Sequence, residues 1–97
     1  MEAKFRILIH RNSESLHLKL LGDFDGGSAR QLINIITNYR FKVGRIFVHT
    51  SGLNSVDPSG ADLLRTKLKL DIPVSVNLVF TGEKAEAISP DNSKTIA

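Results

Sequence analysis

From residue 4 to residue 11 apolar and polar side chains alternate, with Phe5, Ile7 and Ile9 on one side and Lys4, Arg6 and His10 on the other. A period of two is that of a β-strand with one face in water. Leu16, Leu18 and Leu20, alternating with His17 and Lys19, repeat the pattern over 16–21. Asn12-Ser13-Glu14 supplies turn chemistry between them, so the two strands are expected to close a hairpin. Gly22 to Ser28 then reads as a turn rich in glycine and capping residues. Beyond it the spacing changes: Ala29, Leu32, Ile33, Ile36 and Arg40 follow the helical rule and predict an amphipathic helix over 28–40. Ser28 or Asp25 is its expected cap, and Gly44 ends the exit loop. Arg45 to Thr50, with Ile46, Phe47 and Val48 in succession, reads as an interior strand.

Asp57-Pro58 is a helix-start signal, with Asp as N-cap and Pro at the first helical position. Ala61, Leu64 and Leu68 line one side of that second helix, and Leu63 lies beside them. Ile72-Pro73 forces an extended exit. Val74, Val76, Leu78 and Phe80 alternate with Ser75 and Asn77, giving a fourth strand with one polar face. Glu83 to Ile88 reads as a short helix and 89–93 as a loop, after which the last residues add a strand or fray.

The predicted order is β-β-α-β-α-β-(α). This is a small α/β domain with a mixed, mostly parallel sheet of four to five strands. Strand–helix–strand units pair in parallel and cross over right-handedly, so sequential strands put both crossover helices on one face. The other face is then left to water. One domain over 1–97 is expected, with 83–97 a short or partly flexible tail.

Composition restricts the class. The chain has no cysteine, which removes disulfides, thiolate zinc sites and cysteine nucleophiles. Thirteen Lys and Arg against ten Asp and Glu leave a net charge of +3, mild for a nucleic-acid binder. The basic excess lies in the first fifty residues, where Lys4, Arg6, Arg11 and Lys19 are expected near the first hairpin; aromatic residues for base stacking are not interleaved there, so the charges read as a solvated face. No apolar run approaches a membrane span or a signal-peptide core, and a soluble intracellular protein without membrane insertion is expected. His10 and His17 fall opposite each other if the hairpin closes at Ser13-Glu14, but no third metal ligand is evident. No nucleophile elbow accompanies the serines, and no enzymatic activity, metal or cofactor is expected.

The informative stretch is Gly52 to Leu64. It places Asp57, Ser59 and Gly60 at an exposed helix N-terminus, where unpaired N–H groups and the positive dipole end favour an anion or a phosphate added to a nearby serine. Gly60, lacking a side chain, would admit close approach of a partner's backbone. Weak nucleotide or anion binding at Asp57–Gly60 is an alternative reading, though the stretch contains neither a lysine nor a phosphate-binding glycine loop. On spacing alone, Asp57 and Pro58 need do no more than start the helix.

The run Arg45 to Thr50, then Ser51-Gly52-Leu53 and Val56-Asp57-Pro58-Ser59-Gly60, resembles the signature of STAS domains, the sulphate-transporter and anti-sigma-factor-antagonist modules. Leu21-Gly22-Asp23-Phe24-Asp25 before the Ser28-Ala29 helix start is similar to that family's Gly-x-hydrophobic-Asp turn. The likeness covers about residues 15–82. It implies a non-enzymatic, cytoplasmic, bacterial protein-interaction module in transcription regulation. Such a module binds an anti-sigma factor that is also a serine kinase, and phosphorylation reverses the binding. The implied partner-binding residues are Asp25, Asp57, Pro58, Ser59, Gly60 and Leu63.

Two departures from the family pattern bear on the switch. The family places its phosphoacceptor serine directly after the aspartate, where this chain has Pro58, leaving Ser59 as the phosphorylation candidate. His49 stands where many members have an aspartate. The C-terminus is short for the family, so a final helix is expected to be missing. An alternative within the resemblance is a constitutive subunit of a larger complex, such as a lipid-transport ABC system.

Overall fold

The alternation in the first twenty residues does close a hairpin. A computed structural model describes residues 4–71, 77–89 and 94–96. Strand β1 (Phe5–Arg11) pairs antiparallel with β2 (Ser15–Phe24), and His10 lies opposite His17. At the turn the Asn12 side-chain oxygen accepts from the Glu14 and Ser15 amides at 3.1 and 2.8 Å, and the Asn12 amide donates to the Ser15 carbonyl at 3.0 Å. A short polar side chain thus replaces the backbone bonds that a tight reversal leaves open.

Helix α1 (Gly26–Tyr39), strand β3 (Arg45–Val56), helix α2 (Pro58–Asp71), strand β4 (Asn77–Thr81), the single turn α3 (Ala85–Ile88) and strand β5 (Lys94–Ile96) follow. The sheet order is β1-β2-β3-β4-β5, with every pair after the first parallel. The expected order and class are met, and the last residues add a fifth strand. The expectations for Ile72-Pro73, Val74, Val76 and the loop 90–93 lie outside the described residues.

Helices α1 and α2 pack on each other over one face of the sheet. Leu16, Leu18 and Leu20 of β2, Ile46 and Val48 of β3 and Phe80 of β4 meet Leu32 and Ile36 of α1, Leu64 and Leu68 of α2 and Ile88 of α3, all buried. Val79, on the face opposite Leu78 and Phe80, is also buried: it lies between Phe47 of β3 and Lys94 of β5 in the ladders.

Three boundaries differ from the periodicity. β2 runs on through Gly22 to Phe24, and β3 through to Val56. The β2–β3 register shifts twice, between Lys19 and Leu21 and again between Gly22 and Asp23. Such irregularities break strict alternation without ending the pairing. Gly22 has φ +96, and a side chain there would collide with the Lys4 carbonyl; the residue that reads as a turn is a left-handed position inside a strand. Helix α1 begins at Gly26 rather than residue 28, because Asp25 is the N-cap and Ser28 its partner three residues into the helix.

The face assignment has a direct check. Leu18→Ala removes a fully buried side chain from the helix-covered face and is expected to cost about 2–5 kcal/mol. Leu8→Ala, on the other face, is expected to stay within about 0.5 kcal/mol. Urea midpoints of the two variants measure both, and equal losses would contradict the packing.

Candidate functional site

Strands β2 and β3 end together, with Phe24 opposite Val56, and each hands over to an aspartate that caps a helix. At α1 the Asp25 carboxylate accepts from the Ser28 amide at 3.0 Å, while the Ser28 hydroxyl closes on the Asp25 amide at 3.1 Å. This reciprocal pair is a capping box. The Ser28 amide, then the Ser28 hydroxyl, hold the Asp25 carboxyl below the ordinary carboxylate range, against a smaller opposing effect of desolvation. At α2 the Asp57 carboxylate accepts from the Ser59 amide at 3.1 Å and from the Ser59 hydroxyl at 3.0 Å.

The two starts are tied together. The Asp57 amide donates to the Phe24 carbonyl at 2.8 Å, and the Ser55 hydroxyl donates to the Asp23 carboxylate at 2.9 Å. Gly60 sits against the Asp25 backbone: a Cβ on Gly60 would fall 2.6 Å from the Asp25 carbonyl carbon and oxygen. The arrangement presents Asp25, Asp57, Pro58 and Ser59 on one exposed platform where two helix N-termini meet. Positive dipole ends of both helices lie beneath two capping carboxylates.

Of the residues named from sequence, those four are exposed together, and Leu63 is half-buried and packed partly on the core. Gly60 differs. It is buried, and the space its missing side chain leaves is filled by this chain's own Asp25 backbone rather than left open to a partner. Asp25 likewise has an internal duty as the α1 cap.

The helix-free face carries a feature the sequence reading missed. His17 Nδ1 and His49 Nε2 lie 3.0 Å apart, within hydrogen-bond distance across neighbouring strands. Their rings are parallel within 3° at a centroid separation of 5.2 Å, which sets them edge to edge. His49 Nδ1 also bonds the Thr81 hydroxyl at 2.7 Å, and Phe47 stacks on His17 at 4.6 Å. His10 flanks His17 at 6.4 Å. Burial, then the nearby His17 and Lys19 charges, push the His49 imidazole below its ordinary value. Among the described residues no three His, Cys, Asp or Glu side chains group to hold a metal ion. Only the parallel register, unavailable from sequence, brings residues 17, 47 and 49 together.

The chain is similar to a solved structure of the anti-sigma factor antagonist SpoIIAA in its unphosphorylated form. The TM-score is 0.66, over 96% of this chain and 87% of that one. Identity across the match is 16%, so the likeness is one of fold, and the fold is the STAS fold that the motifs led us to expect. Scans against family models and against curated proteins find no match. Among the described residues no helix is long and apolar enough to cross a membrane.

Gly60→Ala tests the internal role of that glycine. The added methyl meets backbone that cannot swing aside, and a loss of about 1–3 kcal/mol is expected in chemical denaturation. A neutral outcome would return Gly60 to the role of admitting a partner.

Stability should also report on His49. A histidine with a lowered folded value binds fewer protons folded than unfolded, so its contribution is complete above about pH 6.5 and is lost as the pH falls below that. Asp25, also lowered, holds its contribution until the pH drops below about 4, so the two windows are separate. The urea midpoint is therefore expected to fall between pH 7.5 and 5.5, and His49→Gln to flatten that slope. An equal slope in the variant would assign the titration elsewhere.

Proposed function

We propose that this chain is a protein-interaction module of the anti-sigma-factor-antagonist kind, non-enzymatic and cytoplasmic, which docks an anti-sigma factor with serine-kinase character. The docking surface is the exposed platform of Asp25, Asp57, Pro58 and Ser59, with Leu63 one turn along α2. The single observation that carries the reading is that platform: two helix N-termini held side by side by the Asp57 amide on the Phe24 carbonyl and by Gly60 on the Asp25 backbone. The fold shared with SpoIIAA, an anti-sigma factor antagonist, supports it.

The usual switch is altered in this reading. Pro58 carries no hydroxyl, and Ser59 is the phosphorylation candidate. Its hydroxyl is exposed but already donates to Asp57. A phosphate there would lose that bond and set its charge beside the Asp57 carboxylate, while gaining from the dipole end of α2.

Affinity capture from the native host tests the proposal. The wild-type chain and Asn38→Ala, altered at an exposed position late in α1, are expected to recover the same protein partner. Ser59→Arg is expected to reduce recovery about tenfold, the effect of losing about 1.4 kcal/mol at the interface. Intact-mass analysis of the captured chain reads the switch: one phosphate, mapped to Ser59, makes it regulated, and an unmodified mass under growth and stress makes it a constitutive subunit. Recovery of no partner, or of one insensitive to Ser59→Arg, would overturn the platform reading.

A further inference from the structure

Strand β1 forms one edge of the sheet. In an antiparallel ladder alternate residues exchange backbone bonds with the partner strand, and those between them point their N–H and C=O groups away. The Asp23 amide donates to the Lys4 carbonyl, and the Asn12 amide to the Ser15 carbonyl, in line with the register that runs between them. The even-numbered residues of β1 therefore bond to β2. Phe5, Ile7, Ile9 and Arg11 direct their backbone groups out of the sheet, where a sixth strand would lie.

The side chains of this edge are unusual for a surface. Leu8 is 43% exposed and Ile9 50%, on opposite faces of the same strand. Around them every charge has one sign: residues 4–13 contain Lys4, Arg6 and Arg11 and no carboxylate. The basic character continues onto the end of α1. The Arg11 guanidinium lies over the Tyr39 ring at 5.6 Å and reaches the Lys42 carbonyl at 3.4 Å, and Lys42 Nζ lies 5.7 Å from the same ring.

Basic residues on a free edge are a common device against edge-to-edge association. Here the device is selective. A second copy offers the same positive charges, Lys4, Arg6 and Arg11, so pairing two copies along this edge gathers like charge with no carboxylate from either β1 to offset it. An extended strand with acidic side chains meets no such penalty.

We propose that the β1 edge docks an extended, acidic and apolar segment of a partner protein as a sixth strand. Backbone bonds to Phe5, Ile7, Ile9 and Arg11 supply the ladder, Leu8 and Ile9 the apolar contact, and Arg6, Arg11 and Lys42 the choice of sign. This interface is separate from the helix-start platform, because its apolar and basic side chains gather toward Ile9 and Arg11, beside the hairpin turn and the end of α1.

The probe is a capped seven-residue peptide alternating valine with glutamate, titrated into the intact chain and followed by amide NMR. Saturable shifts are expected at Phe5, Ile7, Ile9 and Arg11, weakening as salt rises, with none for the same peptide carrying lysine in place of glutamate. Ile9→Pro removes an outward N–H that β2 does not use, so the fold is retained and peptide binding is lost. Arg6→Glu with Arg11→Glu is expected to reverse the preference to the lysine peptide, a readout that does not depend on the proline variant folding. No saturable shift, shifts confined to other elements, equal binding of both peptides, or concentration-dependent dimerisation through this edge would each overturn the proposal.

Discussion

The junction where Phe24 faces Val56 is the constraint on which the rest of the molecule depends. Two parallel strands that end level must both turn away from the sheet at the same place, and each does so through an aspartate that caps the helix it begins. The starting points of α1 and α2 are thereby set side by side, and the two helices run back across the same face in contact. Burial of Leu32 and Ile36 from one and Leu64 and Leu68 from the other over Leu18 and Val48 follows from that common origin. The closeness of the starts leaves no room for a Cβ at Gly60. One constraint thus produces both the core and the exposed platform, and a substitution at the junction acts on both.

No helix among the described residues covers the opposite face. Its ring-bearing residues, His17, Phe47 and His49, lie parallel to one another within about 4° and make contact among themselves. His49, hydrogen-bonded to His17 and to the Thr81 hydroxyl, is pushed below its ordinary value by burial first, and no carboxylate stands among its ladder neighbours to oppose that. Through His49 this face carries a pH-dependent contribution, whereas the apolar core on the other face has no titratable side chain.

Most of the fold was legible because β1, β2 and the two long helices keep their periods wherever they have one wet side. Reading failed where two signals competed. At Leu20-Leu21 and at Gly22-Asp23 the ladder is irregular, so alternation stops while pairing continues, and a strand read as a turn. Gly26-Gly27 has turn composition, yet the Asp25–Ser28 capping box starts the helix ahead of it. Asp57, Pro58 and Ser59 were legible as an exposed helix start from local capping chemistry, whereas Asp25 joined them only through the family resemblance. The burial of Gly60 was not, since it depends on a residue thirty-five positions away whose backbone fills the gap. The His17–His49 pair lies beyond local pattern for the same reason: it requires the parallel register.

Pro58 connects the local chemistry with the functional reading. At the first helical position its fixed φ suits the helix, and the N–H it lacks would have had no partner in the helix. The neighbouring Ser59 donates its hydroxyl to the same carboxylate oxygen that accepts its amide, so residues 57–59 form a small closed unit on the α2 start. A serine at position 58 would place a free hydroxyl at that start, open to modification but with a backbone less restricted in the unfolded chain. On the proposed reading, proline rather than serine at position 58 favours a preformed docking surface over a modifiable one. Pre-organisation lowers the entropy lost on association, and it makes partner choice depend on shape and charge that are already in place. On the proposed reading, such a platform binds in one state by default, and any regulation through Ser59 must first break the hydrogen bond that completes the cap.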